Sequence, residues 1–341
     1  MSTATTKHAS PALVVLAFAT VYIVWGSTYF FIGKAVHEIP ALIMGAMRFL
    51  ASGGIMLAWC AYNGEKLWDW QVVKPAVVTG LLLLLVGNGA VIWAEKTLPS
   101  SLVAVLVSSS PLWFVLLDRA KWKENLGSRS TVTGLLIGFV GVVFLFKEKV
   151  GAVLNGAGGS HELLGLLILL VGAISWSGGS LYSKYHSKGS ATLSSAWQML
   201  TAGAAFSLGS LFTGEWNVFE PAAVSTQAWM SVLYLITMGS LAGYSAYIWL
   251  LQVRPATQVS TYAYVNPVVA VILGTAFAGE KMSALQLSGL AVILTSVLLI
   301  NLAKYRNSGK PAASPSTEQA NHGNRFLRTR RSKAREKEMS H

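Results

Sequence analysis

Cysteine is nearly absent: Cys60 is the only one in 341 residues. No intrachain disulfide can be drawn, and its place inside an apolar run suits core packing. Charge is scarce as well, at 12% of the residues with only 14 acids, about half the share an ordinary soluble domain carries. The patterns of resident chemistry are missing too. No His-Glu-x-x-His, no Asp-rich cluster and no phosphate-binding Gly-x-x-x-x-Gly-Lys loop occurs, and His161 and His186 fall in expected loops. These absences speak against a metal-dependent enzyme and against direct ATP drive. No metal and no cofactor is expected.

What the chain has is apolar length. Hydrophobic residues make up 53% of it, and the mean hydropathy is +0.52. A bilayer core of about 30 Å needs about 20 apolar residues per helix. Ten such runs recur, at 11–33, 41–62, 72–94, 99–118, 129–147, 162–183, 191–212, 227–250, 255–278 and 284–303. Turn and charge clusters such as NGEKLWDW, KWKENLGSRS and TGEWNVFEP separate them, as breaker signals should. The first run continues past the cleavage-like Ala17-Phe18-Ala19, so it reads as a retained helix and not a signal peptide.

Basic residues set an expected orientation. With the N-terminus inside, the inner loops and helix ends collect ten, from Lys7 and Lys66 to Lys188 and Arg254. The outer side collects five: Lys34, Lys96, Lys147, Lys149 and Lys281. Both termini are therefore expected in the cytoplasm. From Lys304 the chain holds ten more basic residues, read as an anchor on anionic lipid in preference to a nucleic-acid arm.

Sliding the chain against itself by 156 residues exposes a repeat. Residues 87–124 lie over 243–280 with 11 identities in 38 positions, among them Gly87 with Gly243, Trp93 with Trp249, Pro99 with Pro255, Pro111 with Pro267 and Glu124 with Glu280. A shorter echo joins VWGSTYF near Trp25 to SWSGGSLYSKY near Trp176. Five runs per copy is an odd number, so the second copy must enter the membrane from the opposite face. The fold class expected is an all-α integral membrane protein of ten transmembrane helices in two inverted five-helix repeats. Its parts are a cytoplasmic N-terminus (1–10), the repeats (11–150 and 151–303) and a basic tail (304–341).

Pro111 and Pro267 each stand twelve residues into their runs, about 18 Å along a helix and so near the midplane from either side. Broken backbone at that depth is tolerated where it lines a cavity. On helix 9, Gln258, Tyr262 and Asn266 follow i, i+4, i+8 spacing. Asn88 and Glu95 share a face of helix 3, and Tyr244 and Tyr247 share one on helix 8. Polar groups of this kind are costly against lipid and are expected to face inward. Tyr262 and Asn266 are expected to line a substrate cavity, and Pro267 to break helix 9 there. Ser110 and Pro111 occupy the matching, less polar positions of the first copy.

The segments WGSTYFFIGKAV, MGAMRFLASG, GNGAVIWAE, SSSPLW and STYAYVNPVVAVILG together resemble the EamA family of the drug/metabolite transporter superfamily, over residues 11 to about 303. The resemblance implies two inverted five-helix repeats, a central cavity between helices 3, 4, 8 and 9, and export of small metabolites such as amino acids across a bacterial inner membrane. Arg48 matches the family's Arg-Phe in helix 2; it reads either as a gate or coupling group or as a cation snorkelling outward to Glu95. Glu124 and Glu280 match the family's Gly-Glu position and are expected to cap the helices that follow them, although residue 123 is Lys. Gly134, Gly138 and Gly141 suit close helix packing, and the same face would suit a homodimer. The alternative class is a membrane-embedded lipid-modifying enzyme, which would need a nucleophile and base converging in the membrane.

Overall fold

The structure, a computed structural model, describes residues 10–154, 160–254 and 256–308. Among the described residues there are helices and turns and no strand. The long helices are α1 (Pro11–Val36), α2 (Ala41–Tyr62), α3 (Trp70–Ala94), α4 (Ser100–Leu117), α5 (Arg129–Leu154), α6 (Ser160–His186), α7 (Ala191–Phe212) and α8 (Thr226–Val253). They are followed by α9, in two pieces Ala256–Val259 and Tyr262–Phe277, and by α10 (Ala284–Ser308). Among the described residues six stretches are long and apolar enough to cross a membrane: Pro11–Val36, Ala41–Tyr62, Trp70–Ala94, Ser100–Leu117, His161–His186 and Thr226–Val253. Large apolar side chains such as Ile23, Leu136, Leu211 and Ile272 are exposed on the outside of the bundle, as expected of a surface that meets lipid and not water.

Helix starts follow ordinary capping chemistry. Pro11 sits in the first turn of α1, where its missing N–H goes unused. The Asp69 carboxylate accepts from Gln71 N at 2.9 Å to open α3. Other N-termini borrow carboxylates from distant loops. Glu215 accepts from the backbone N–H groups of Leu42 and Ile43 at 2.9 and 3.1 Å. Glu38 takes Ser225 N and its hydroxyl, at 2.6 and 2.7 Å, and these donors hold its carboxyl below the usual range. Glu280 corrects the expectation made for it. Its two oxygens accept from Ser100 N and Ser101 N, both at 3.0 Å, so it caps α4 in the other half of the sequence and not the helix after it. The side chain of Glu124 lies outside the described residues.

The packing interleaves the two halves of the chain. α1 lies against α8 and α9, α6 lies against α3 and α4, and α2 pairs with α7. The glycine face of α5 is filled from within: a Cβ on Gly141 would come within 2.7 Å of Ile293, and one on Gly138 would strike Ser296 and Leu112. Ser296 Oγ also donates to Gly134 O at 2.6 Å. That face is used for packing on α10.

Two irregularities set the geometry of the interior. α3 widens into a π-helix over Gly80–Asn88, and α8 does the same over Leu235–Tyr244. Such segments are rare and concentrate at functional sites. α4 and α9 are each interrupted, but not as the prolines alone suggest. In α4 the turn is Ser108–Ser109, and Pro111 stands in the first turn of the second piece, Ser110–Leu117. In α9 the turn is Ser260–Thr261, and Pro267 stands inside the continuous helix Tyr262–Phe277. Pro267 therefore does not break α9 at its own position.

Candidate substrate site

Trp25 on α1 and Trp176 on α6 meet edge to face at 5.4 Å, and Tyr244 and Tyr247 of α8 and Tyr262 of α9 close the group around them. Trp25 lies 4.8 Å from Tyr247 and 5.4 Å from Tyr262 between ring centroids. Such pairs favour tilted and T-shaped contacts because ring edges are positive and faces negative. Trp25, Trp176, Tyr244 and Tyr262 of this group form one wall of a cavity of about 660 Å³, counted out to its mouth, between α1, α2, α3, α4, α6, α8 and α9.

Glycines let the tryptophans in. A Cβ on Gly243 would lie 2.6 Å from Trp25 Nε1, and one on Gly87 would lie 3.1 Å from the Trp176 ring. These are the glycines that coincide in the 156-residue repeat, and each receives the tryptophan carried by the first helix of the other half. Their indole nitrogens differ. Trp25 Nε1 donates to Gly239 O at 3.1 Å, whereas Trp176 Nε1 is buried and makes no hydrogen bond among the described residues.

Arg48 lies opposite the aromatic wall and is only 3% exposed. It donates from Nε to Ser240 Oγ at 2.9 Å and from Nη1 to Asn88 Oδ1 at 3.3 Å, and its guanidinium carbon sits 4.9 Å from the Phe49 ring centre. Ser240 and Asn88 belong to the two π-helices, so this one side chain ties both to α2. The outward snorkelling to Glu95 is corrected: the cation is turned to the interior. Glu95 is buried elsewhere, accepting from Ser100 Oγ at 2.6 Å. It lines a second pocket with Lys34, Lys96 and Glu280. Asn88 and Glu95 thus serve different cavities.

Of the residues singled out in the sequence, Arg48, Asn88, Tyr244 and Tyr262 line the central cavity. Tyr247 lies behind Trp25 and is bonded to Ser180 Oγ at 2.7 Å. Ser110 is fully buried and donates to Val107 O at 2.6 Å. Asn266 sits outside the cavity lining, between α9 and α1; with its nitrogen turned to the acceptors, it donates to Tyr22 O at 3.0 Å and Tyr262 O at 3.2 Å. The side chain of Gln258 lies outside the described residues. Trp25, Trp176 and Gln198, which accepts from the Tyr244 hydroxyl, were not singled out. The tryptophans had a signal in the echo between VWGS and ISWSGG; Gln198 on α7 had none.

A model of the EamA-like transporter family matches the chain twice, at residues 12–147 and 163–302. The inner membrane transporter YedA of Escherichia coli (strain K12), described as uncharacterized, is 36% identical over 306 residues, which cover 89% of this chain and 95% of YedA. A probable amino-acid metabolite efflux pump of Salmonella typhimurium (strain LT2) is 25% identical over 300 residues, 84% of this chain and 93% of that protein. Among solved structures, one crystal structure superposes with a TM-score of 0.60 at 20% identity. It covers 87% of this chain and 99% of its own, a likeness of fold alone. The chain belongs to the EamA-like transporter family and is a multi-pass membrane transporter, not an enzyme.

Proposed function

We propose that this chain exports small amphipathic metabolites, amino acids or related compounds, by alternating access around the aromatic cavity, as a secondary-active or facilitative carrier. In this reading ten helices cross the inner membrane as two inverted repeats, residues 11–150 and 151–303, with both termini and the basic tail in the cytoplasm. The observation that carries it is the crossed pair Gly87–Trp176 and Gly243–Trp25. Repeat-related glycines hold repeat-related tryptophans against each other in one wall of the cavity, where α3 and α8 both leave regular helical geometry. Two halves that meet through matched contacts can rock about them, exposing the cavity to one side and then the other. Arg48, Asn88, Tyr244 and Tyr262 are the proposed substrate contacts. Asn266, Tyr247 and Ser110 hold them in place.

Transport is tested with purified protein in vesicles preloaded with a labelled metabolite panel. At least one amphipathic solute should exchange faster than in protein-free vesicles, and uniform retention of the whole panel removes the reading. Orientation is tested separately with reporter fusions. Fusions after Gly64 and His186 should report cytoplasm and one after Glu215 the outside; the reverse assignment sinks the topology.

A further inference from the structure

Resting on that transport reading, we infer that the group recognised in the cavity is a carboxylate, received by the Arg48 guanidinium. Donors and acceptors around the cavity do not balance. The guanidinium carries five N–H donors and no acceptor. Its hydrogen bonds leave through Nε and Nη1, to two neutral partners, while Nη2 makes no hydrogen bond among the described residues and Arg48 lines the cavity. Trp176 and Tyr262 also line it, and the Trp176 Nε1 and the Tyr262 hydroxyl are buried with no hydrogen-bond partner among the described residues. Three elements, α2, α6 and α9, therefore bring unmatched donors to one space. Among the described residues lining that space none is acidic.

A buried cation without a counter-charge is strongly disfavoured in a setting of this kind, and the ligand is the remaining place for its partner. A carboxylate supplies both a negative charge and the acceptors, in a planar shape that matches the guanidinium fork. Asn88 and Ser240 fix the fork by holding Nη1 and Nε. The faces of Trp25 and Tyr244 are left for an apolar body. A free amino group on the same solute has only ring faces to meet, a modest attraction, so a zwitterion is accepted and a simple amine is not. An amine without a carboxylate would place a second cation beside Arg48, where like charges repel.

The test compares solutes that differ in this group alone: L-phenylalanine, 3-phenylpropanoate, phenethylamine and L-phenylalanine amide. Binding to the full chain in nanodiscs is read by quenching of tryptophan fluorescence and by the shift in melting temperature. The two carboxylates should bind, and the two compounds lacking one should bind roughly tenfold more weakly or worse. Binding of both carboxylates, or of the zwitterion alone, supports the proposal and says which source supplies the group. Arg48→Gln should erase the preference for acid over amine, and Arg48→Lys, a point charge without the fork, should keep part of it. Should Arg48→Gln fail to fold, a reduced preference in Arg48→Lys decides the question.

Equal binding of acids and amines by the unaltered protein, or an unchanged preference in both variants, overturns the proposal. If neither carboxylate binds while the vesicles exchange some other solute, the carboxylate assignment falls and the transport reading stands. If nothing exchanges, the transport reading falls with it.

Discussion

Replacing Gly243 with alanine is expected to lower the initial transport rate per folded molecule at least tenfold, while the same change at Gly87 has a smaller effect. The added carbon at Gly243 would lie 2.6 Å from Trp25 Nε1 and 2.8 Å from its Cδ1, closer than a Cβ carbon stands to any non-bonded neighbour, so the indole must move. Trp25 cannot slide aside as a flexible chain would. Its rigid ring touches Trp176, Tyr244, Tyr247 and Tyr262, and its N–H is committed to Gly239 O. Overpacking of this kind costs about 1–3 kcal/mol, and the shift redraws the wall of the cavity. At Gly87 the nearest ring atom stands at 3.1 Å and no donor is bound on that side, so a displacement of a few tenths of an ångström suffices. Vesicle transport beside melting temperature separates loss of function from loss of fold. Equal rates in the Gly243→Ala variant and the parent would remove the Trp25 contact from the mechanism.

Composition and apolar run length revealed the membrane setting because both reflect the solvent, and every lipid-facing residue contributes to them. The repeat revealed Gly87 and Gly243, and through the shorter echo it pointed at the tryptophans. Arg48, Asn88, Tyr244 and Tyr262 were readable as polar or amphipathic residues out of place in an apolar helix. What they touch was not. Arg48 could go outward or inward on its helix alone. The choice depends on Ser240 and Asn88, which reach it across the bundle from sequence positions 192 and 40 residues away.

The π-helices left no mark either. GLLLLLVGN and LITMGSLAGY read as ordinary apolar helix, since the extra residue per turn is settled by the neighbouring helices and not by local propensity. A close approach enforces one end: a Cβ on Gly80 would come within 2.5 Å of the Gln198 carbonyl oxygen. Proline misled in a specific way. It marks helices that break, but the break in α9 is at Ser260–Thr261, seven and six residues before Pro267. Likewise Glu280 was legible as a cap and illegible as to which helix it caps, because its amides belong to α4, 179 and 180 residues away.

Asn266→Asp should be more harmful than Asn266→Ala, an inversion of the usual ranking by shape. In a cavity wall exposed to solute, aspartate would be the gentler change, since it keeps size and polarity. At the place the structure gives it, Asn266 is 3% exposed and its nitrogen faces two carbonyl oxygens, those of Tyr22 and Tyr262. Alanine removes both donations, a loss of about 1–3 kcal/mol, although the helix carbonyls of Tyr22 and Tyr262 keep their backbone donors. Ionised aspartate adds two acceptors against those same carbonyls and buries a charge with nothing to balance it, at a cost of about 3–5 kcal/mol. Taking up a proton avoids the charge but restores one donor of the two. The melting temperature should therefore fall in the order parent, alanine, aspartate. The aspartate variant should recover part of its stability as the pH is lowered, because protonation is then easier, whereas the alanine variant should show no such recovery beyond the parent's own response. Transport should follow stability for both, since the residue joins α9 to α1 and makes no contact with solute. An aspartate variant as stable as the parent, or an alanine variant that folds fully yet has lost transport, would move Asn266 back to the substrate surface.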